Sequence, residues 1–218
     1  HIYGTVSAPT SYTVRLIATN SFGTSTSIQT NYVSVTEPSP SIPALLTPTD
    51  SLTTLNGAML FSWTTSTDIS GSSMNYTLQL ARDIGFGSIL TTINSISSTR
   101  QTITGLPNGP VYWHVRANSV FGTSSYSPTQ QFVLYNTTDA QLVSSSQTVT
   151  FYLGDSTGGY LPVKAIFNST GVDTVTLNLY DQKAPNLPTS KYISRYWQIN
   201  RTGSSAINVD LTFSYTSS

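Results

Sequence analysis

Apolar and polar residues alternate along most of this chain, and this pattern restricts its fold more than any other feature. Clear examples are residues 12–16, 76–80, 175–179 and 209–213, each bounded by Gly, Pro, Asn or Ser. A period of two places successive side chains on opposite faces of a strand, whereas the spacing of an amphipathic helix is almost absent. We therefore predict an all-β fold of tandem, Ig-like antiparallel sandwiches built from short strands.

Two polar stretches divide the chain into three units. Residues 37–43 contain three prolines, which favour an extended connector and cannot lie inside a sheet. Residues 136–140 are polar and follow the strand-like residues 131–135, so we interpret them as a second linker. The predicted units are residues 1–36, 37–136 and 137–218.

The first unit repeats the end of the second. Residues 12–25 and residues 112–124 both contain a strand, a turn of the form Asn-Ser…Phe-Gly and a second strand. Glycine supplies the positive φ that such a hairpin turn needs. A piece as small as the first unit cannot bury a core unaided. We therefore predict that residues 1–36 are the C-terminal strands of an incomplete sandwich.

Such a hairpin has unpaired strand edges and an uncovered apolar face that includes Tyr12, Val14 and Leu16. Bare edges of this kind recruit further strands. We expect backbone hydrogen bonds from outside residues 1–36 to complete the sheet. Two sources are open: the preceding part of the same module, or a neighbouring subunit, which would link subunits into an open filament.

Five stretches of the second unit follow the strand pattern of one family. They are residues 46–50, 61–63 with a core tryptophan, 76–83, 103–106 and 112–117, as its first, second, third, fifth and sixth strands. Through them residues 38–135 resemble a fibronectin type III domain of bacterial surface proteins and secreted hydrolases. One position departs from the family. Counting by twos puts Val111, Trp113, Val115 and Ala117 on one face and Tyr112 on the other, so we expect the family's tyrosine corner to be lost.

The outer units carry looser resemblances. Residues 1–3, 12–16 and 18–20 are similar to the last strands of a PKD-type domain, the polycystic-kidney-disease repeat. Residues 192–199 and 210–215 resemble a β module of large bacterial surface proteins, which are commonly exported by the type IX route and serve as adhesins or filament components. These resemblances imply an extracellular or cell-surface location, with neighbouring modules or other subunits as partners.

Charge is scarce and balanced. Charged residues make up 8% of the chain, with nine basic and nine acidic side chains, while Ser and Thr supply about a third of it. This balance leaves no electrostatic footprint for nucleic acid or an anionic membrane, and no apolar run approaches the length of a membrane span. We therefore expect no nucleic-acid partner and no membrane insertion. Without cysteine, disulfides and thiolate metal sites are excluded.

The sequence offers no recognisable set of catalytic groups. The two histidines, His1 and His114, have no second histidine or carboxylate at ligand spacing, and His114 is placed on the exposed outward face of a strand. The Gly-x-Ser-x-Gly spacing at residues 154–158 belongs to a Gly-rich turn that is followed by a strand, not to the strand–turn–helix of a nucleophile elbow. We predict no catalytic residues and no hydrolase activity for the isolated chain.

The aspartates most relevant to chemistry are spread over loops of different units, and they are Asp68, Asp83, Asp155, Asp173 and Asp181. A glycosidase needs two facing carboxylates, and a calcium loop needs closely spaced acidic residues. Within one unit, only the pair Asp155 and Asp173 merits a test as a metal site. The Gly-rich residues 154–159 lack the lysine of a phosphate loop and are interpreted as a turn. No metal and no cofactor are predicted.

Trp63, Trp113 and Trp197 each lie in phase with neighbouring apolar residues. They are therefore predicted to be core residues, with Trp63 and Trp113 on facing sheets. The alternative is a platform on which sugar rings stack.

Two functions fit these expectations. The first is a non-catalytic structural or adhesive segment of a large secreted or cell-surface protein, a set of stiff modules that could be part of an extracellular fibre. The alternative is an accessory spacer or carbohydrate-binding region of a secreted polysaccharide-degrading enzyme, with surface glycans as partners.

Overall fold

The computed structural model describes residues 6, 8–144, 146–182, 185, 195–204 and 206–213, and every regular element in them is a strand. The prediction of an all-β fold of Ig-like sandwiches is confirmed. The described part of the chain holds no helix of the length and apolarity that a membrane crossing requires. Some residues that carry the resemblances noted above lie outside the described residues. They are residues 1–3, which include His1, and residues 192–194 and 214–215.

Strands β1 (Thr10–Asn20) and β2 (Gly23–Val35) form a two-stranded sheet of their own. The turn between them is closed by Asn20, whose Oδ1 accepts hydrogen bonds from the backbone N–H of Phe22 at 2.9 Å and Gly23 at 3.1 Å. Both strands are exposed along almost their whole length, and the exposed fraction of Leu16 is 67%. Within the described residues, this hairpin therefore has no covering layer.

The proline-rich connector is extended, but it is attached to the following sandwich. The backbone N–H of Ser41 donates to the carbonyl oxygen of Thr67 at 2.9 Å, and the N–H of Thr67 donates back to Oγ of Ser41 at 2.9 Å. Pro40 and Pro43 are buried. The connector thus packs along one end of the sandwich.

Two sheets form what we call the middle sandwich. The first sheet has the order β3 (Leu45–Thr47), β5 (Met59–Trp63) and β8 (Arg100–Ile103). The second has the order β4 (Leu52–Leu55), β11 (Gln130–Tyr135), β9 (Gly109–Ser119), β6 (Asn75–Ala81) and β7 (Ile89–Ile96), and β10 (Gly122–Thr123) also pairs with β9. Apart from the parallel pair β4 and β11, all pairs are antiparallel. A three-stranded sheet facing a larger one is the fibronectin type III-like arrangement that the resemblance implied.

Some predicted strand limits were wrong. The predicted opening strand, residues 46–50, overlaps β3 only at its first two residues, because a turn at residues 48–51 precedes β4. Strand β8 ends at Ile103, so that Leu106 is buried in a loop. These shifts arise where a proline or a glycine interrupts an alternating pattern.

The core of the middle sandwich depends on the alternation along β9. Val111, Trp113, Val115 and Ala117 are fully buried, whereas Tyr112 lies on the opposite face. The ring of Trp113 meets Phe61 of the facing sheet edge-on, with centroids 5.1 Å apart. Trp63 packs in the same way against Tyr76, with centroids 5.5 Å apart. The predicted burial of Trp63 and Trp113 on facing sheets is therefore confirmed.

The remaining strands form the third sandwich. One sheet contains β12 (Thr138–Val143), β15 (Asp173–Tyr180) and β16 (Tyr196–Thr202), and the other contains β13 (Gln147–Phe151), β14 (Val163–Ser169) and β17 (Ile207–Phe213). Trp197 is half-buried against this core, with its ring 4.7 Å from that of Phe213. The interpretation of residues 136–140 as a linker is wrong, because β12 begins at Thr138 and Asn136 forms a bridge with Leu153.

Truncation of Trp63 tests the core. We expect Trp63→Ala to lower the free energy of unfolding of the middle sandwich by about 3–5 kcal/mol, because it removes a fully buried indole that its surroundings cannot replace. Leu46→Ala, at an exposed position of the same sheet, is the control and should change it by less than about 0.5 kcal/mol. Chemical denaturation followed by the NMR signals of residues in the middle sandwich, such as Val115, measures both, and equal effects of the two substitutions would contradict the assignment.

Candidate functional site

His114 is buried, contrary to the surface position expected from the sequence. Its side chain lies on the outward face of β9, but its exposed fraction is only 9%. The imidazole is stacked between Phe86 and Tyr126, with centroid separations of 3.6 and 3.7 Å and interplanar angles of 4° and 16°. We call these three rings the His114 stack.

Phe86 reaches the stack from the loop between β6 and β7. Asp83 shapes this loop, since Oδ1 accepts the N–H of Gly87 at 3.0 Å and Oδ2 accepts the N–H of Ser88 at 2.6 Å. Phe86 has a φ of +54°, a left-handed conformation that costs free energy for a bulky residue. The hydrogen bonds of Asp83 therefore hold a strained turn that lays Phe86 on His114.

Tyr126 comes from the irregular segment after β10, which runs beside β9. Ser124 and Ser127 take the place of strand residues there, because their hydroxyl oxygens accept the N–H groups of Ala117 at 2.9 Å and Val115 at 3.2 Å. This path brings Tyr126 against His114 and sets the guanidinium of Arg116 4.9 Å from the centroid of the Tyr126 ring. A cation–π contact thus closes one end of the stack.

The stack keeps His114 neutral. Burial lowers the pKa of His114 from 6.5 to about 4, and the positive charge of Arg116 acts in the same direction. Nε2 of His114 lies 2.9 Å from Oε1 of Gln79. Because a carboxamide oxygen only accepts hydrogen bonds, Nε2 carries the proton. A histidine of this kind is poorly matched to general acid–base catalysis near neutral pH.

Amides and a hydroxyl extend the same face along β6 and β9. Nδ2 of Asn118 donates to Oδ1 of Asn75 at 3.1 Å and to Oγ1 of Thr77 at 3.2 Å. These groups satisfy one another across the strands. The outer face therefore presents a fixed, mainly uncharged surface.

Asp68, Asp83 and Asp155 serve local turns. Oδ1 of Asp68 accepts the N–H of Ser72 at 2.8 Å. The hydrogen bonds from Gly87 and Ser88 lower the pKa of Asp83, and those from Thr157 and Gly159 lower the pKa of Asp155. These carboxylates are committed to backbone and hydroxyl donors.

The pair considered for a metal does not come together. Asp155 lies with Asp181 at one end of β15, because Arg195 donates to Oδ2 of Asp155 at 2.9 Å and to Oδ1 of Asp181 at 2.6 Å. Asp173 opens the same strand, so it lies roughly 25 Å away at the usual rise per residue. Among the residues that the structure describes, no group of three or more metal-ligating side chains occurs.

A polar joint connects the middle and third sandwiches. Nη1 of Arg82 donates to the carbonyl oxygen of Asn108 at 2.7 Å, and Nδ2 of Asn108 donates to Oδ1 of Asp139 at 3.2 Å. Oδ2 of Asp139 accepts the backbone N–H of Tyr152 at 2.8 Å. Tyr152 packs over Gly109, where a Cβ atom would lie 2.9 Å from the ring.

Backbone hydrogen bonds continue across the joint. The N–H of Asn136 donates to the carbonyl oxygen of Tyr152 at 3.2 Å, and the N–H of Gly154 donates to that of Asn136 at 3.1 Å. The predicted turn at residues 154–159 is present, and its Gly154 lies against the ring of Tyr135 so closely that a side chain there would clash. Tyr160 packs beside Tyr135, and burial raises the pKa of Tyr160 to about 12.

Sequence reasoning missed both the His114 stack and the joint. Each joins residues from separate loops, and their only local signals are the Asp-x-x-x-Gly-Ser run at Asp83 and the Asn-Gly pair at Asn108 and Gly109. Both signals indicate turns but not what those turns contact.

No family model matches the chain, and no curated protein matches it. The crystal structure of the FN1–FN3 domains of chicken CNTN1 matches with 14% identity and a TM-score of 0.34, covering 92% of this chain and 69% of that one.

The His114 stack predicts a pH dependence. Folding lowers the pKa of His114 from 6.5 to about 4. At pH values between these two numbers, His114 therefore binds a proton in the unfolded chain but not in the folded protein. The free energy of unfolding should therefore decrease as the pH falls from about 6.5 to about 4. NMR titration of the imidazole measures the pKa directly. His114→Phe keeps a stacked ring and should remove this contribution; a His114 pKa near 6.5 in the folded protein would contradict the prediction.

Proposed function

We propose that this chain is a non-catalytic structural and adhesive segment of a large secreted or cell-surface protein. The observation that carries the proposal is the joint, in which Asn136 and Asp139 connect two sandwiches through backbone and side-chain hydrogen bonds. Modules linked by a free connector move relative to one another by default. A joint without such a connector makes the two sandwiches one stiff unit, which suits a spacer or a fibre component.

The surface chemistry is consistent with a role outside the cell. Hydroxyl and amide groups replace charges as the solubilising groups, and the part of the chain that the structure describes contains few ion pairs that salt could screen. The extracellular location, the PKD-type character of residues 1–36 and export by the type IX route depend on the resemblances described above. We include them in the proposal on that basis.

The β1–β2 hairpin supports a partner from outside residues 1–36. Aligning its turn with the turn between β9 and β10 matches Asn20 with Ser119, because each pairs with the glycine that starts the next strand. Counting back by twos then pairs exposed residues of β1 with fully buried residues of β9. The pairs are Ala18 with Ala117, Leu16 with Val115, Val14 with Trp113 and Tyr12 with Val111.

We infer from this match that the hairpin ends a sandwich whose other sheet is supplied from elsewhere. In the middle sandwich the corresponding face of β9 is covered by β3, β5 and β8. We favour the preceding part of the same module as the source for β1, and a neighbouring subunit is the alternative. Either source would pair the bare edges and cover the apolar face.

Substitution at Gly109 tests the stiff joint. Gly109→Ala should loosen it, because the added Cβ meets the Tyr152 ring and the position has a φ of +103°. Gly105→Ala is the matched control. Gly105 has a φ of +71°, and a Cβ atom at this position would have no other atom within 4 Å, so the substitution adds backbone strain without a steric contact. We expect ¹⁵N relaxation to give one shared rotational diffusion tensor for both sandwiches in the original chain and in Gly105→Ala. Gly109→Ala should give two.

Independent tumbling of the two sandwiches in the original chain would overturn the proposed stiff unit. Equal behaviour of the two glycine variants would show that the contact with Tyr152 does not maintain it.

Substitution of Leu16 identifies the source of the covering sheet. If the preceding part of the module supplies it, the 218-residue chain should sediment as a monomer whose hairpin amides exchange quickly with solvent. If a second copy supplies it, the chain should self-associate, and Leu16→Lys should abolish the association. Ile17→Lys, on the opposite face of β1, is the control and should leave the association unchanged. A monomer with slowly exchanging hairpin amides would contradict both versions.

A further inference from the structure

A polar hollow of about 280 Å³ lies in the third sandwich, next to the start of β12, the strand that follows the joint. Its lining includes Thr138, Ser156, Asn178, Tyr180, Asp181 and Gln182. The hollow combines an aromatic ring, a carboxylate, carboxamides and hydroxyls within a small volume. Sites for small ligands commonly combine an aromatic surface with a few fixed polar groups in this way.

Tyr180 supplies a fixed aromatic wall. It stacks on Tyr196, its cross-strand partner, with ring centroids 4.8 Å apart and an angle of 14° between the rings. Its hydroxyl donates to Oε1 of Gln198 at 3.0 Å. Because Tyr196 covers the ring from the β16 side and the hollow adjoins β12 on the other side, the second face of Tyr180 borders the hollow. An aromatic face of this kind packs well against the C–H face of a sugar ring.

Two polar side chains keep hydrogen-bonding capacity for a ligand. Oδ1 of Asn178 accepts the hydroxyl of Thr138 at 2.8 Å, which leaves the Nδ2 hydrogens as donors. Arg195 binds Oδ1 of Asp181, whose side chain is 34% exposed, so that Oδ2 is left as an acceptor. One donor and one acceptor beside an aromatic face match the vicinal hydroxyls of a saccharide.

Arg195 also holds the hollow in shape. It binds Asp155, which closes the turn carrying Ser156, and Asp181, which follows β15. The same cation therefore fixes two walls of the hollow and neutralises much of their negative charge. A neutral ligand is favoured over a cation for that reason.

We propose that this hollow binds a neutral saccharide, with its ring on Tyr180 and its hydroxyls on Asn178 and Asp181. The inference rests on the adhesive part of the proposed function and gives it a ligand class. It is independent of the stiffness of the joint and of the sheet that covers the β1–β2 hairpin. Failure to bind sugar would therefore leave the structural role intact.

The test is an NMR titration of the full ¹⁵N-labelled chain with cellohexaose, xylohexaose, mannohexaose and chitohexaose. We expect at least one of them to shift the amides of Thr138, Asn178, Tyr180 and Asp181. Tyr180→Ala should weaken that binding at least about tenfold, which corresponds to about 1.4 kcal/mol. Tyr180→Phe should bind nearly as well as the original chain, because the hydroxyl is used by Gln198. Tyr32→Ala, an exposed tyrosine of the hairpin, is the control and should have no effect.

Amide shifts that stay unchanged up to about 10 mM of each of the four sugars would overturn the proposal. Such a result would mean a dissociation constant above about 10 mM, which is too weak for a specific site. Shifts confined to other surfaces, or the same shifts produced by Ca²⁺ alone, would overturn it as well. The thermal midpoint of each variant separates loss of binding from loss of folding. If Tyr180→Ala unfolds the third sandwich, Asn178→Ala replaces it, with the same tenfold loss expected.

Discussion

The two-sided alternation of β9 is the constraint on which the rest of the middle sandwich depends. One set of its side chains, including Trp113, fills the space between the sheets, and the alternate set, including His114 and Arg116, forms the outer face. The strand also starts at Gly109, where the joint begins. A shift of one residue in its register would expose the core side chains and place the outer set, including the charged Arg116, between the sheets. The core, the His114 stack and the joint are therefore fixed by the same pairing.

Scarcity of charge changes how this chain shapes its loops. The aspartates Asp83 and Asp155 accept backbone N–H groups, and the serines Ser124 and Ser127 replace strand carbonyls as acceptors for β9. Short polar side chains form such local hydrogen bonds more readily than long charged ones, since they lose less conformational entropy. A composition rich in Ser and Thr is thus compatible with well-defined loops. The outer face of β9 requires such loops, because they hold Phe86 and Tyr126 against His114.

The sequence predicted what depends on strand periodicity and missed what depends on loop conformation. The burial of Trp63 and Trp113 and the outward position of Tyr112 follow from counting by twos, and the structure agrees. The exposure expected for His114 was wrong, because Phe86 and Tyr126 cover it from loops whose paths no periodic pattern encodes. The linker assigned to residues 136–140 was wrong for a related reason. Polar residues at a strand start resemble a linker when their hydrogen-bond partners, here Tyr152 and Asn108, are distant in sequence.

That strand start also connects the two surfaces to which we assign roles. Thr138 and Asp139 are consecutive on β12, so their side chains point to opposite faces of the strand. Asp139 is buried in the joint, while Thr138 is exposed and bonds to Asn178 beside the hollow. The hydrogen bonds that fix Asp139 therefore also fix the position of Thr138. A hollow supported in this way is held by the joint as well as by Arg195, and a ligand within it would be presented at a defined place on a stiff pair of modules. In the role that we propose, precise placement of this kind would distinguish an adhesive segment from a flexible tether.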